Sequence, residues 1–362
     1  MDSPGVFCPN LACPARGQRD QGNIRVHSQR EQRYRCTVCQ RTFTATKGTA
    51  LYRLHRPAPL FVQVVTLLAY GCPPAAIVVA FGLDERTVAA WHQRAGAHSE
   101  RVQQGLVEQP HMLTHVQADE LRIKKQGGVV WLAMALAVTS RLWLGAVVQV
   151  SRDGALAERL ARLVRRCVVP AAPLVWSVDG WAPYVTAVLR VFRDPVCTGH
   201  RGRPPLRRWP GLALAQVIKH TTERRRLVGI TRQVVFGTAE QVAACFGEGV
   251  INTAWIERLN GTFRARLCAL VRRGRALARQ VPTLHGATYL TGTVYNFCTP
   301  HGTLSFRANQ PTTPAMAAGL TDHCWSLEEL LRYRVPPPRW QPACHRGRRA
   351  RIEQALIARW CA

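Results

Sequence analysis

Three carboxylates in this 362-residue chain have residue types and settings that suit a pair of hard divalent cations. Asp119 and Asp179 each close an apolar, strand-like run, HVQAD and LVWSVD, and Glu257 lies in NTAWIERLNGTFRARL, which has helical periodicity. Mg²⁺ or Mn²⁺ prefers oxygen ligands and keeps several waters, so a few carboxylates suffice to hold two ions about 3.5–4 Å apart. Such a pair serves phosphoryl transfer: one ion activates water or a 3′-hydroxyl, and the other stabilises the leaving oxygen. The acids then position metals rather than move protons. Acids are also scarce, 21 against 49 Lys and Arg, so each one in an apolar setting calls for an explanation.

A second set of ligands is sulfur. Cys8 and Cys13 form a C-x4-C pair and Cys36 and Cys39 a C-x2-C pair, with 22 residues between them. Two short-spaced thiol pairs converge readily on one tetrahedral Zn²⁺, and the intervening span is long enough for a hairpin. The flanking RYRCTVCQRTF alternates aromatic Tyr34 and Phe43 with basic residues, as in a small zinc-stapled sheet. No other two of the 13 cysteines lie within five positions of each other. The odd count, and a start (MDSPGVFCPN) without a basic or apolar leader, predict reduced thiols in a cytosol rather than a disulfide framework.

Composition indicates the partner. A formal charge of +28 and mostly Arg among the cations give a field that attracts polyanions, and double-stranded DNA is the expected one. GC-rich codon usage accounts for arginine over lysine, but not for the scarcity of acids. No membrane is expected. Residues 129–148 are mostly apolar, yet Thr139, Ser140 and Arg141 interrupt them where a charge in lipid costs most. Two buried strands joined by a tight turn fit better.

The elements that must position these residues follow in order. After the cysteine zone, 1–56, a helical zone, 57–110, contains PPAAIVVAFGLDERTVAAWHQRA, in which one helix ends at Gly82 and another begins after Asp84 with Val88 and Trp91 facing inward. That is the shape of a helix-turn-helix, with Arg86, Thr87, Gln93 and Arg94 as candidates to meet bases or phosphates; an ordinary helical hairpin is the plain alternative. From about 112 the pattern turns to strands: HVQADEL, then VVWLAMALAV and LWLGAVVQV as a hairpin, a helix over DGALAERLARLVRRC, and LVWSVDGW. A helical crossover makes the first and fourth strands parallel neighbours, bringing Asp119 and Asp179 side by side at strand ends. Further strands are expected in LALAQVIKH and RLVGITRQVVFG. On the helix after them, Trp255 or Ile256, Leu259, Phe263, Leu267 and Leu270 form an apolar stripe, while Glu257, Asn260, Gly261 and Arg264 share a polar face. Glu120, Glu223, Glu240 and Glu248 are the rival acids.

These segments resemble, in order and over most of the chain, the zinc-ribbon DDE transposases of bacterial insertion sequences. The residues that carry the resemblance are CPNLACP, RYRCTVCQRTF, LDERTVAAWHQRA, QADEL, SVDGWAPYV, INTAWIERLNGTFRARL and YNFCTPHGTLSFRANQPTTPAMAAGL. It implies a multidomain α/β protein: a zinc ribbon (1–56), a helix-turn-helix DNA-binding domain (57–110), an RNase H-like mixed-sheet catalytic domain (111–310) and a basic C-terminal extension (311–362). It also implies DNA strand cleavage and strand transfer with Asp119, Asp179 and Glu257 as the catalytic and magnesium-binding triad, Arg264 near DNA, structural Zn²⁺ on Cys8, Cys13, Cys36 and Cys39, a homo-oligomer on DNA, and a bacterial, nucleoid-associated cytoplasmic setting. The competing class is a non-catalytic DNA-binding regulator in which the sheet domain is structural. The tail PPPRWQPACHRGRRARIEQALIARWCA belongs to no part of this pattern, and is expected to be a DNA-contacting extension or a disordered end.

Overall fold

The computed structural model describes residues 5–197, 199, 201–223, 226–247, 249–270, 280–344 and 347–361. Contacts divide the chain into two compact units, Met1–Ala58 with Leu331–Ala362, and Pro59–Leu330.

In the smaller unit, β1 (Ile24–Ser28), β2 (Arg33–Cys36) and β3 (Thr42–Thr44) form an antiparallel sheet in sequence order. So small a sheet buries little on its own, and its core is Cys8, Cys13, Ala15, Ile24, Cys36, Phe43 and Trp360. Trp360 closes a C-terminal helix, Arg351–Trp360, and Gln18 donates to its carbonyl. The tail is therefore ordered by burying Trp360, with Leu356 packed beside it, in the core of the smaller unit, which its Arg-rich sequence conceals.

The larger unit begins with α1 (Ala58–Ala69), α2 (Pro74–Phe81) and α3 (Glu85–Leu106). Gly82 adopts a left-handed conformation that ends α2, and the Asp84 side chain accepts from the Arg86 amide to start α3. Val88 and Trp91 are buried, and Trp91 meets Phe61 edge-on, as the apolar spacing predicts. α3 runs well past the turn, for 22 residues. Its second half packs on the later helix Val281–Cys298, where Gly96 lies against the Gly286 backbone. A Cβ at Gly96 would stand 2.6 Å from that backbone, so only glycine allows the approach.

The sheet consists of β4 (His115–Lys125), β5 (Gly128–Ala137), β6 (Leu142–Gln149), β7 (Leu174–Asp179), and then, after the small β8 (Arg193–Pro195) and β9 (Leu206–Arg208) ribbon, β10 (Leu212–Thr221) and β11 (Leu227–Phe236). Its order is β11-β10-β7-β4-β5-β6. The β4–β7 and β7–β10 pairs are parallel and the rest antiparallel. The apolar stretch 129–148 is the β5–β6 hairpin, and no helix among the described residues is long and apolar enough to cross a membrane.

Helix α4 (Gly154–Cys167) makes the crossover from β6 to β7, and α5 (Ala182–Val191) and α6 (Ala239–Phe246) follow. The opposite face is covered by α7 (Ala254–Arg266) and α8 (Val281–Cys298). Ile256, Leu259 and Phe263 of α7 pack with Leu121, Leu132, Met134 and Trp143, each fully buried apolar side chain contributing roughly 1.5–3 kcal/mol. α7 stops at Arg266, one turn earlier than its apolar stripe suggests; Leu267 and Leu270 continue the burial through a short 3₁₀ turn.

Candidate functional site

The β4–β7 register sets Gln117 opposite Ser177, so two residues on the same line Asp119 comes beside Asp179, which in turn faces Val217 of β10. β7 ends at Asp179 while β4 continues, leaving an open notch at the ends of the parallel strands. There a cavity of about 730 Å³ is lined by Asp119, Asp179, Lys219, Glu257, Asn260 and Arg264, with Arg152 and Trp181 at its rim. The structure thus brings Asp119, Asp179, Glu257 and Arg264 into one space.

The position of α7 against this notch is fixed by Gln117, which is fully buried. Its Oε1 accepts from the amides of Trp255 and Ile256 at 3.1 and 3.0 Å, and its Nε2 donates to the Asn252 carbonyl. Two otherwise orphaned donors of the α7 N-terminus are thereby satisfied by a side chain two residues before Asp119. Asn260 then donates to Asp119 Oδ2 at 2.6 Å. The Thr253 hydroxyl, at the N-cap, donates to Glu257 Oε1 at 2.9 Å rather than capping the helix.

The carboxylates are not equivalent. Ligand oxygens of Asp119, Glu120 and Asp179 all lie within 4.8 Å of one another, a grouping that could hold a metal ion. Glu257 stands outside it, its Oε1 bound by Lys219 Nζ at 2.5 Å. Glu120 is therefore the acid that sequence reasoning undervalued. Alternation along β4 alone would send it to the face opposite Asp119. Arg152 holds its Oε1 at 2.7 Å through Nε, and its Oε2 is buried. The adjacency of Glu120 to Asp119 was the one signal available in the sequence. Glu240 is exposed at the start of α6, Glu223 lies in the β10–β11 turn, and Glu248 is outside the described residues.

Electrostatics follow from this crowding. Burial, then the charges of Glu120 and Asp179, pushes Asp119 up to about 7. Glu120 is raised by burial and Asp179, with Arg152 opposing. Clustered acids at such a potential are a natural cation site, and an all-oxygen donor set suits a hard ion.

In the ribbon unit, ligand atoms of Cys8, Cys13, Cys36 and Cys39 also lie within 4.8 Å of one another. Sγ separations of 3.7 Å (Cys8 to Cys39) and 3.8 Å (Cys13 to Cys36) match the roughly 3.8 Å edge of a tetrahedron with Zn–S near 2.3 Å. The hydrogen bond from Cys8 holds the Cys36 thiol below its ordinary value, while burial pushes Cys13 up. This cluster could bind zinc.

On α3, Arg86 and Gln93 are exposed, and Thr87 and Arg94 half-buried. No protein-family model matches the chain, and no curated protein matches it.

Proposed function

We propose that this chain is a DNA strand-transfer enzyme of the zinc-ribbon DDE transposase kind. The observation that carries the reading is the meeting of Asp119, Glu120 and Asp179 at parallel strand ends, in a cavity shared with Glu257 and Arg264, within a strongly basic chain. Two divalent ions held by these acids would supply activation of the attacking oxygen and charge stabilisation at phosphorus. Asp119 and Asp179 are the central ligands, Glu257 completes the set on release from Lys219, and Asn260 and Gln117 hold α7 in place. Arg264 and Lys219 provide the positive charge that lets a phosphodiester approach a carboxylate cluster. Cys8, Cys13, Cys36 and Cys39 bind structural zinc, and Arg86, Thr87, Gln93 and Arg94 contact the recognised DNA, on which the protein assembles as a homo-oligomer.

The test uses the full chain, Mn²⁺ and labelled duplexes from the DNA flanking the gene. Cleavage and joining are expected, and Asp119→Asn, Asp179→Asn and Glu257→Gln should each abolish both without a large loss of DNA affinity. Full activity in both Asp variants, or no metal-dependent cleavage of any flanking duplex, refutes the proposal. DNA binding without cleavage would favour the regulator instead.

A further inference from the structure

A second cavity, of about 200 Å³, lies on a different side of α7 and is lined by Arg141, Trp255, Arg258, Arg266, Thr299 and His301 among others. No carboxylate lines it. Arg141 is 4% exposed, stacks on the Trp255 ring at 3.3 Å, and has a buried Nε with no hydrogen-bond partner. Its Nη1 donates to the Val138 carbonyl, and the Tyr295 hydroxyl donates to the Arg141 carbonyl at 3.0 Å. Arg266 donates to Thr299 at 3.2 Å. The Arg258 guanidinium makes no ion pair among the described residues, and His301 Nδ1 is buried and unpartnered.

Like charges gathered in this way repel. Burial first, then Arg307, brings Arg141 down to about 10, and burial with Arg141 and Arg258 holds His301 below its ordinary value. Arg141 moreover sits at φ 59°, in the left-handed region that a residue with a side chain adopts only under strain. A buried, strained, unpaired guanidinium beside two more cations lacks its counter-ion, and an anion would satisfy all of them.

The placement on α7 suggests which anion. Glu257, Asn260 and Arg264 face the carboxylate cavity, whereas Trp255, Arg258, Thr262 and Arg266 face the arginine pocket. Between the two faces the exposed ridge carries Gly261 and Ala265, with open space above Gly261. A polynucleotide leaving the carboxylate cavity meets no large side chain on that ridge as it crosses the helix, about 10 Å across. We infer that the Arg141–Arg258–Arg266 pocket binds one backbone phosphate of the DNA strand that occupies the carboxylate cavity, clamping the strand across α7. This rests on the proposed function for the identity of the polyanion, but not on catalysis.

The test is phenylglyoxal modification of arginines in the full-length protein, read by peptide mass spectrometry, with metal omitted. A short duplex should protect Arg258 and Arg266 at least about fivefold while leaving exposed Arg159 of α4 reactive, and inorganic phosphate should protect only at tens of millimolar. In parallel, Arg258→Gln should lower the slope of log affinity against log salt by about 1, the loss of one phosphate contact, and Arg159→Gln should not. DNA that binds but leaves Arg258 and Arg266 reactive overturns this inference alone. Protection by micromolar phosphate and not by duplex also overturns it, marking a small-anion site. Failure to bind DNA at all would remove the proposed function together with it.

Discussion

In EDTA at pH 8, Asp119→Asn should make the protein more stable, an unusual outcome for a substitution at a proposed catalytic residue. Asp119 rises from its ordinary 3.8 to about 7, chiefly through burial and then Glu120 and Asp179. That rise corresponds to about 4 kcal/mol of differential interaction, an upper figure because the neighbouring acids share it. The sign follows from proton uptake. A carboxyl whose folded pKa is raised binds more protons folded than unfolded between these two values, so stability is highest below 3.8 and is lost as pH rises to about 7. From pH 5 to pH 8 the parent should thus lose about 2–3 kcal/mol that the substituted protein keeps. Little hydrogen bonding is sacrificed. The carbonyl of the introduced amide can accept from the Glu120 backbone N–H as Asp119 does at 2.8 Å, and its NH₂ can donate to Asn260 Oδ1, which has no partner, once the Asn260 amide turns over. Urea denaturation from pH 5 to 8, followed by Trp fluorescence, measures the difference, and added Mn²⁺ provides the second arm. Mn²⁺ should stabilise the parent and leave the variant almost unmoved. A variant less stable than its parent at pH 8, or equal stabilisation of both by Mn²⁺, would refute the claim that clustered acids at Asp119 are held apart from their counter-ion.

Four further outcomes are expected. Glu120→Gln should weaken Mn²⁺ binding about 10–100-fold by paramagnetic resonance titration, since it removes one of three grouped oxygen donors. Cys36→Ser should take bound zinc, measured by mass spectrometry of the metal, from one per chain to none, and loosen the small unit. Gly292→Ala should lower stability against urea by about 1–3 kcal/mol, because its Cβ would overlap the Trp143 ring. Arg86→Ala should cost about 1–3 kcal/mol of affinity on the preferred DNA if that side chain reads a base, and should flatten the salt slope if it holds a phosphate.

Much of the sheet was legible because each strand carries its own signal. The β5 and β6 runs are continuously apolar, being buried on both faces, and the intervening Thr139–Arg141 marks their turn. The parallel β4–β7 pair followed from the α4 crossover, and with it the neighbourhood of Asp119 and Asp179. What sequence could not provide depends on three-dimensional endings. Glu120 joins the cluster only because β7 stops short, and alternation alone would place it on the wrong face. The Lys219–Glu257 pair spans 38 residues and two elements, so no local spacing reveals it. The Arg141 pocket unites a β-turn with two helices, and in the chain its members look like ordinary surface arginines. The tail is ordered through Trp360 and Leu356, whose partner core lies at the other end of the chain.

The long α3 carries a mechanical consequence. Its first turns hold Arg86 and Thr87, while Gln103 near its other end is fully buried and donates to the carbonyls of Trp143 and Leu144 in the sheet. Over 22 residues it extends about 33 Å, and its one interior weak point, Gly96, is clamped by Gly286. On the proposed function, the base-reading turns of α3 and the carboxylate notch belong to one lever with no joint. Such a molecule would not sample a new stretch of bases by swinging a tethered module; the 59–330 body would turn about the duplex as a whole. The offset between the bases read and the phosphate presented to Asp119 would then be a property of helix length, set when the chain folds rather than chosen on the DNA.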